Sequence, residues 1–125
     1  MDVTDHASVV AFCKENDISL VLVGPEIPLV DGLADSLTVG GIKCFGPSKK
    51  AAQIEGSKAF SKDLMQKYNI PTAEFKTFTK YEDAKAYVES IKHQVVVKAS
   101  GLAAGKGVLI PETPEETQDA LKEVK

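Results

Sequence analysis

The fold class follows from the stretch ISLVLVGPEIPLVDGLADSLTVGGIKCF, residues 18–45. Its first six residues are a continuous apolar run rich in β-branched side chains, which is typical of a strand covered on both faces. A turn at residues 24–26 follows, and apolar residues then recur with helical spacing until the glycine pair at 40–41. Residues 42–45 form a second apolar run. This strand–helix–strand order predicts a parallel α/β sheet.

The rest of the sequence adds one helix before this unit and a mixed α+β pattern after it. A boundary between two lobes is expected near residues 46–57, where the alternation changes character. Two T-x-x-E capping boxes, which pair a threonine with a glutamate three positions later, predict helix starts. The further expected elements are helices at residues 7–15, at 48–54 and from Ser57, capping boxes at Thr79 with Glu82 and Thr113 with Glu116, and a strand at 74–78.

Composition restricts the class of protein. The 125 residues are 43% apolar and 26% charged, with a net charge of −3, which argues against a dedicated nucleic-acid binder. No run approaches the ~20 apolar residues that span a bilayer, and the N-terminus lacks a signal-peptide pattern. Cys13 and Cys44 have no metal-type spacing and are expected to be free thiols in a reducing compartment. A cytoplasmic protein without nucleic-acid or membrane partners is therefore expected.

The most informative motif for function is VVVKASGLAAGKGVLI, residues 95–110. A β-hairpin loop usually has about two to five residues, and residues 100–107 exceed that length. Glycines allow backbone N–H groups to approach an anion closely, so a phosphate-binding loop is the alternative to a plain hairpin. The spacing excludes both a P-loop and a dinucleotide-binding fingerprint.

Two lysines could supply positive charge to such a site. Lys98 lies in an apolar strand, where an unpaired ammonium is unfavourable, so it should face a protein carboxylate or a ligand phosphate. Lys58 follows Ser57 at a helix start and is either solvated or a second phosphate contact.

Four segments, VGPEIPLVDGLADSL, FGPSKKAAQIEGSKAFSKDLM, NIPTAEFKTFT and VVVKASGLAAGKGVLI, together resemble the glycinamide ribonucleotide synthetase (phosphoribosylamine–glycine ligase) family of the ATP-grasp superfamily. The resemblance implies that ATP phosphorylates the carboxylate of glycine. The amine of 5-phosphoribosylamine then attacks the glycyl phosphate, giving glycinamide ribonucleotide, ADP and phosphate.

The resemblance also implies site residues. It assigns ATP contacts to the two lysines and to the glycine-rich loop, and no catalytic residue. The implied ATP-binding residues are Lys58, Lys98, Ser100, Gly101, Leu102, Ala103, Ala104, Gly105, Lys106 and Gly107. It further places the phosphoribosylamine side near the first lobe, at Gly24, Pro25 and Glu26, where an ordinary strand–helix turn is the alternative.

The implied architecture has three parts. Residues 1–47 are the C-terminal part of a Rossmann-like, pre-ATP-grasp substrate lobe with a parallel sheet, 48–56 a linker, and 57–125 the beginning of the small α+β lobe of an ATP-grasp domain. The first strand, the adenine hinge and the Mg²⁺ (or Mn²⁺) ligands of the family have no counterpart, so a fragment that is inactive alone is expected. The acidic residues Glu55, Glu112, Glu115 and Glu116 are not metal-site candidates.

Two other functions remain open at this point. One is another ATP-grasp carboxylate–amine ligase or carboxylase, and the other is a non-catalytic α/β interaction module. The parent protein could equally be a single ligase or part of a multifunctional polypeptide.

Overall fold

The computed structural model describes residues 1–101 and 107–124, which form two compact units, Met1–Gly56 and Ser57–Lys125. The elements in this part of the chain are α1 (His6–Glu15), β1 (Val21–Leu22), α2 (Glu26–Asp31), α3 (Leu33–Val39), β2 (Cys44–Phe45), α4 (Lys49–Gly56), α5 (Lys58–Lys67), α6 (Tyr81–Ser90), β3 (Val97–Lys98), β4 (Val108–Leu109) and α7 (Pro114–Glu123).

The first unit contains the predicted parallel sheet. β1 pairs with β2 in parallel register, Val21 opposite Cys44 and Leu22 opposite Phe45, which confirms the predicted fold class. Helices α1 and α3 form the core beneath the sheet, and Leu37 is fully buried there. The other core residues are Val9, Cys13 and Leu33, with Val10, Val21, Val23, Ile42 and Cys44 packed against them.

The prediction of a strand over residues 18–23 that is covered on both faces is wrong. β1 has only two residues, and alternate side chains along residues 18–23 point to opposite faces, as the strand period requires. Val21 and Val23 pack against the core, whereas Leu20 and Leu22 are 58% and 68% exposed. Phe45 on β2 is likewise 69% exposed, because the strand period turns its side chain away from the core. A continuous apolar run therefore does not prove that both faces are covered.

The single helix predicted after the turn is two helices. Gly32 separates α2 from α3 with a φ of 105°, in the left-handed region that a right-handed helix cannot contain. Its N–H still closes α2 by bonding the carbonyls of Pro28 and Leu29. The short helix predicted at residues 48–54 is α4, and it packs against α2 in this unit, although residues 48–56 are also predicted as a linker.

The second unit is built around α6, α7 and an antiparallel strand pair. β3 pairs with β4, Val97 opposite Leu109 and Lys98 opposite Val108. The buried residues of this unit include Ala84 on α6, Val97 on β3, and Thr117 and Ala120 on α7.

Two local predictions for this unit are wrong. Residues 74–78 are not a strand; aromatic contacts hold this segment instead. The Phe78 and Tyr87 rings are tilted by 42° with centroids 5.3 Å apart, and Lys62 Nζ lies 5.5 Å from the Phe75 ring centroid. The cap of α6 is Lys80, without a side-chain capping bond, so the Thr79 box does not form.

The Thr113 capping box forms in part. Its hydroxyl accepts from the Glu116 amide at 3.2 Å, as predicted. The Glu116 carboxylate, however, accepts from the amide of Glu112 at 2.8 Å, one residue before the cap. The helix start at Pro114 is nonetheless the one that the pattern predicts.

Candidate functional site

The first turn of α5 places Lys58. Ser57 is the N-cap, in an extended conformation, and its hydroxyl accepts from the Phe60 amide at 3.2 Å. The Ser61 amide donates to the Ser57 carbonyl at 2.9 Å, which begins the regular helical ladder. Lys58 is thus the first helical residue, and its side chain starts from a fixed backbone.

The segment after β3 completes this turn. The Lys58 amide donates to the Ser100 carbonyl at 2.8 Å, and the Ala59 amide donates to the Ser100 hydroxyl at 3.2 Å. The hydroxyls of Ser57 and Ser100 lie 3.4 Å apart. Because Phe60 is capped by Ser57, all three amides that begin α5 have protein acceptors. These amides are therefore not open donors for an anion.

The ammonium of Lys58 is the remaining donor at this place. Its Nζ donates to the Gly101 carbonyl at 3.1 Å, and an ammonium has three donors in all. The first turn of α5 carries no acidic residue, and no carboxylate pairs with Lys58 in the part of the chain that the structure describes. A lysine beside the positive end of a helix is a local excess of positive charge, which favours an anion.

Lys98 lies on β3, but the expected burial of its side chain is wrong. Val97 faces the core at 8% exposure, so the next residue of the strand faces outward, and Lys98 is exposed. Among residues 1–101 and 107–124 it has neither an ion pair nor a side-chain hydrogen bond. Its charge therefore needs no protein carboxylate, because water solvates it.

The two ends of the glycine-rich segment meet. The Ala99 amide donates to the Gly107 carbonyl at 2.8 Å, directly beyond the β3–β4 pair, and Gly107 is buried. The structure thus brings Lys58, Ser100 and Gly101 into contact and places Lys98 and Gly107 on the adjoining strand ends. The other predicted site residues, Leu102, Ala103, Ala104, Gly105 and Lys106, lie outside the described residues.

Gly24, Pro25 and Glu26 lie in the first unit. They follow the last sheet bond, from the Val23 amide to the Phe45 carbonyl, so the turn stands at the carboxyl end of β1. Pro25 is the N-cap of α2, and Glu26 is exposed in its first turn. The Glu26 carboxylate would repel an anionic group bound there.

One polar cluster was missed by the motif analysis. His6 Nδ1 lies 2.9 Å from the Ser36 hydroxyl, and His6 Nε2 lies 3.2 Å from the Asp31 carboxylate. These are the residue types of a hydrolase triad, but Ser36 lies inside α3, where its amide bonds the Gly32 carbonyl. The cluster connects α1 to the corner between α2 and α3. His6 stands beside the Asp5 cap, but its partners are far along the chain, so no local pattern signals the contact.

Within residues 1–101 and 107–124, no three His, Cys, Asp or Glu side chains converge as a metal site. No helix of that same part is both long enough and apolar enough to cross a bilayer. Lys58 and Lys98 carry ammonium groups, which suit an anion and not a Mg²⁺ ion, whose ligands are oxygens.

The chain matches two family profiles that together cover its length. Residues 1–55 match the N domain of phosphoribosylglycinamide synthetase, and residues 56–125 match the ATP-grasp (A) domain of the same enzyme. The motif resemblance described above is thereby confirmed.

Relatives give the same family. The chain is 56% identical to the bifunctional purine biosynthetic protein purD of Dictyostelium discoideum over 96% of its own length. It is 55% identical to the phosphoribosylamine–glycine ligase of Mesorhizobium japonicum over 97% of its length. It spans only 15% and 28% of these two proteins.

Solved structures show both the ligase and a wider superfamily. The phosphoribosylamine–glycine ligase of Thermotoga maritima is 43% identical and superposes on 62% of the chain, with a TM-score of 0.58, covering 20% of that protein. The biotin carboxylase domain of Hydrogenobacter thermophilus 2-oxoglutarate carboxylase, solved with MgADP, ADP and bicarbonate, is 25% identical. It superposes on 97% of the chain with a TM-score of 0.78, and the chain covers 27% of it.

Proposed function

The chain belongs to the phosphoribosylglycinamide synthetase family, and from this premise we propose that it supplies phosphate-binding elements of a phosphoribosylamine–glycine ligase. The observation that carries the proposal is the contact of Lys58 with Gly101 beside the first turn of α5. This contact joins the Lys58 ammonium to the start of a glycine-rich segment. Among the described residues, that ammonium has no carboxylate partner. Two lysine ammonium groups and the backbone N–H groups of glycines are suited to the negative charge of a nucleoside triphosphate.

In the proposed reaction, a glycine carboxylate oxygen attacks the γ-phosphorus of ATP and ADP leaves. The amine of 5-phosphoribosylamine then attacks the carbonyl carbon of the glycyl phosphate, and phosphate leaves as the nitrogen loses a proton. Lys58 and Lys98 would hold ATP phosphates and offset their negative charge, which is the main protein contribution to phosphoryl transfer. Mg²⁺ or Mn²⁺, when bound, would offset phosphate charge further.

Ser100, Gly101 and Gly107 would contact or frame the nucleotide, with Leu102 to Lys106 assigned by resemblance alone. Gly24 and Pro25 would border the phosphoribosylamine side, although the charge of Glu26 does not favour a phosphate there. We place the protein in the cytoplasm, since Cys13 and Cys44 are free thiols, as expected in a reducing compartment.

A carboxylase of the same superfamily is the second candidate, because the biotin carboxylase domain superposes on nearly the whole chain. Sequence identity favours the ligase, at 55% against 25%. Identity of this size covers both units, including the first, where the acceptor of the reaction is proposed to bind.

Nucleotide binding is the property to test, because the chain spans 15% to 28% of its relatives. MgATP is titrated into the 125-residue chain and binding is followed by heat release and by amide chemical shifts. We expect shifts at Lys58, Lys98, Ser100 and Gly101, and weaker binding when both lysines are replaced by methionine. Absence of binding at millimolar MgATP, or equal binding by the double variant, would refute the proposal.

A further inference from the structure

We infer that Ser100 is a positioning residue that caps α5 from outside the helix and thereby sets where the Lys58 ammonium lies. The inference rests on the proposed function for its nucleotide part. Ser100 provides two acceptors to the same helix end: its carbonyl to the Lys58 amide at 2.8 Å and its hydroxyl to the Ala59 amide at 3.2 Å.

The first turn of a helix leaves its amides without intrahelical partners, and one N-cap side chain normally satisfies only one or two of them. Ser57 satisfies Phe60, and Ser100 satisfies the two amides before it. The cap of α5 therefore comes from two serines that are 43 residues apart in the sequence.

This double cap has a consequence for ligand recognition. Anions often bind at helix N-termini because the first amides are open donors. In α5 those amides are taken, so a phosphate beside this helix would be held by the Lys58 side chain. The contact between Ser100 and α5 also fixes the neighbouring Gly101. The Gly101 carbonyl accepts one of the three N–H donors of the Lys58 ammonium and leaves the others for a ligand.

The Ser100 hydroxyl accepts from the Ala59 amide, a contact within the protein that exchange without nucleotide can test by itself. Ser100→Ala removes the acceptor of the Ala59 amide and keeps the backbone carbonyl. Ser100→Thr keeps the hydroxyl. Ser90→Ala is the control, because it removes a hydroxyl elsewhere in the second unit, one that donates to the Tyr87 carbonyl at 2.7 Å.

The first measurement is amide hydrogen exchange without nucleotide. Loss of a helix cap is expected to speed exchange of the Ala59 amide by about fivefold or more in Ser100→Ala. Ser100→Thr should stay within about twofold of the unaltered chain, and Ser90→Ala should leave Ala59 unchanged. An unchanged Ala59 rate in Ser100→Ala would overturn the capping role, whatever the chain does with ATP.

The second measurement is MgATP affinity. Ser100→Ala should weaken binding by about three- to tenfold, because Lys58 is less well placed, and Ser100→Thr should restore it. Unchanged affinity in Ser100→Ala, together with faster Ala59 exchange, would overturn the positioning role. If the unaltered chain binds no MgATP, the proposed function falls, and the exchange data alone establish or refute Ser100 as the cap.

Discussion

The Nζ of Lys58 lies 3.1 Å from the carbonyl oxygen of Gly101, 43 residues further along the chain. The bond connects the first helical residue of α5 to the segment that leaves β3. It converts two separate sequence motifs, a capped helix and a glycine-rich run, into one local site. Removal of either partner should therefore affect the other.

Replacement of Lys58 by methionine should weaken MgATP binding by about 10- to 100-fold. A hydrogen bond to a charged group contributes about 1.5–3 kcal/mol, and each 1.4 kcal/mol is a factor of ten. No first-turn amide can substitute for the ammonium, since all have protein acceptors. Calorimetric titration of both chains measures the difference.

Lys67→Met is the control for this prediction. Lys67 lies in the last turn of the same helix, with its Nζ 5.4 Å from the Tyr68 ring centroid. A loss of affinity in Lys67→Met equal to that in Lys58→Met would mean that overall charge, and not position, governs binding.

Replacement of Lys98 by alanine should leave folding stability nearly unchanged and weaken MgATP binding about tenfold. Because Lys98 is exposed on β3, its truncation should change the free energy of unfolding by less than about 0.5 kcal/mol. Urea unfolding and calorimetric titration separate the two effects.

Lys92→Ala, at another exposed lysine, serves as the comparison for Lys98. A structural ion pair would show the reverse pattern, with several kcal/mol of stability lost and affinity retained. That result would remove the proposed role of Lys98.

Replacement of Gly40 by alanine should destabilise the first unit by about 1–3 kcal/mol, because the interface between α1 and α3 has no room for a methyl group. An added Cβ would lie 2.6 Å from Cγ1 of Val10, whose branched side chain cannot easily rotate away. Thermal or urea unfolding measures the loss.

The clash can be separated from other effects by a double-mutant cycle. Val10→Ala together with Gly40→Ala should be less destabilising than the sum of the single changes by at least about 0.5 kcal/mol. Gly24→Ala is the control, since a Cβ there meets nothing within 4 Å. Strict additivity would show that the close approach is not the cause.

The α1 cap should make stability depend on pH at the acid end. The hydroxyl and then the amide of Ser8 hold the pKa of the Asp5 carboxyl below its ordinary value. Because the folded pKa is the lower one, the contribution is present above the unfolded value of about 4 and is lost as pH falls through the folded value.

Asp5→Asn tests this pH dependence, because asparagine can cap a helix and does not titrate. Unfolding is measured between pH 2 and 6 for both chains, with the difference between them as the quantity of interest. The unaltered chain should lose stability relative to Asp5→Asn as the pH falls. A difference that is constant across this range would contradict the prediction.

The sequence predicts element order well where apolar spacing and turn residues agree. The parallel pairing of β1 with β2 follows from the alternation, and the glycines end the helices. Prediction from the sequence fails where one residue is compatible with two local structures. Gly32 does not interrupt the helical spacing of the apolar residues around it, but its φ of 105° ends one helix and begins the next.

For the candidate site, the glycine-rich motif and the family resemblance predict the residues but not their partners. Lys98 has apolar neighbours in sequence, yet the period of the strand turns it outward. Ser57 is a recognisable cap, whereas the contribution of Ser100 to the same helix depends on tertiary structure and leaves no local signal. Contacts between distant residues of this kind become visible only in the folded structure.

The two-serine cap also bears on how the second unit forms. The first two amides of α5, those of Lys58 and Ala59, bond to Ser100, which lies beyond β3. The first turn of α5 therefore cannot be completed until that non-local contact forms. Non-local contacts carry a loop-closure entropy that slows their formation. The start of α5 should therefore gain its protection late in folding, together with the strand pair, while the rest of the helix is already in place.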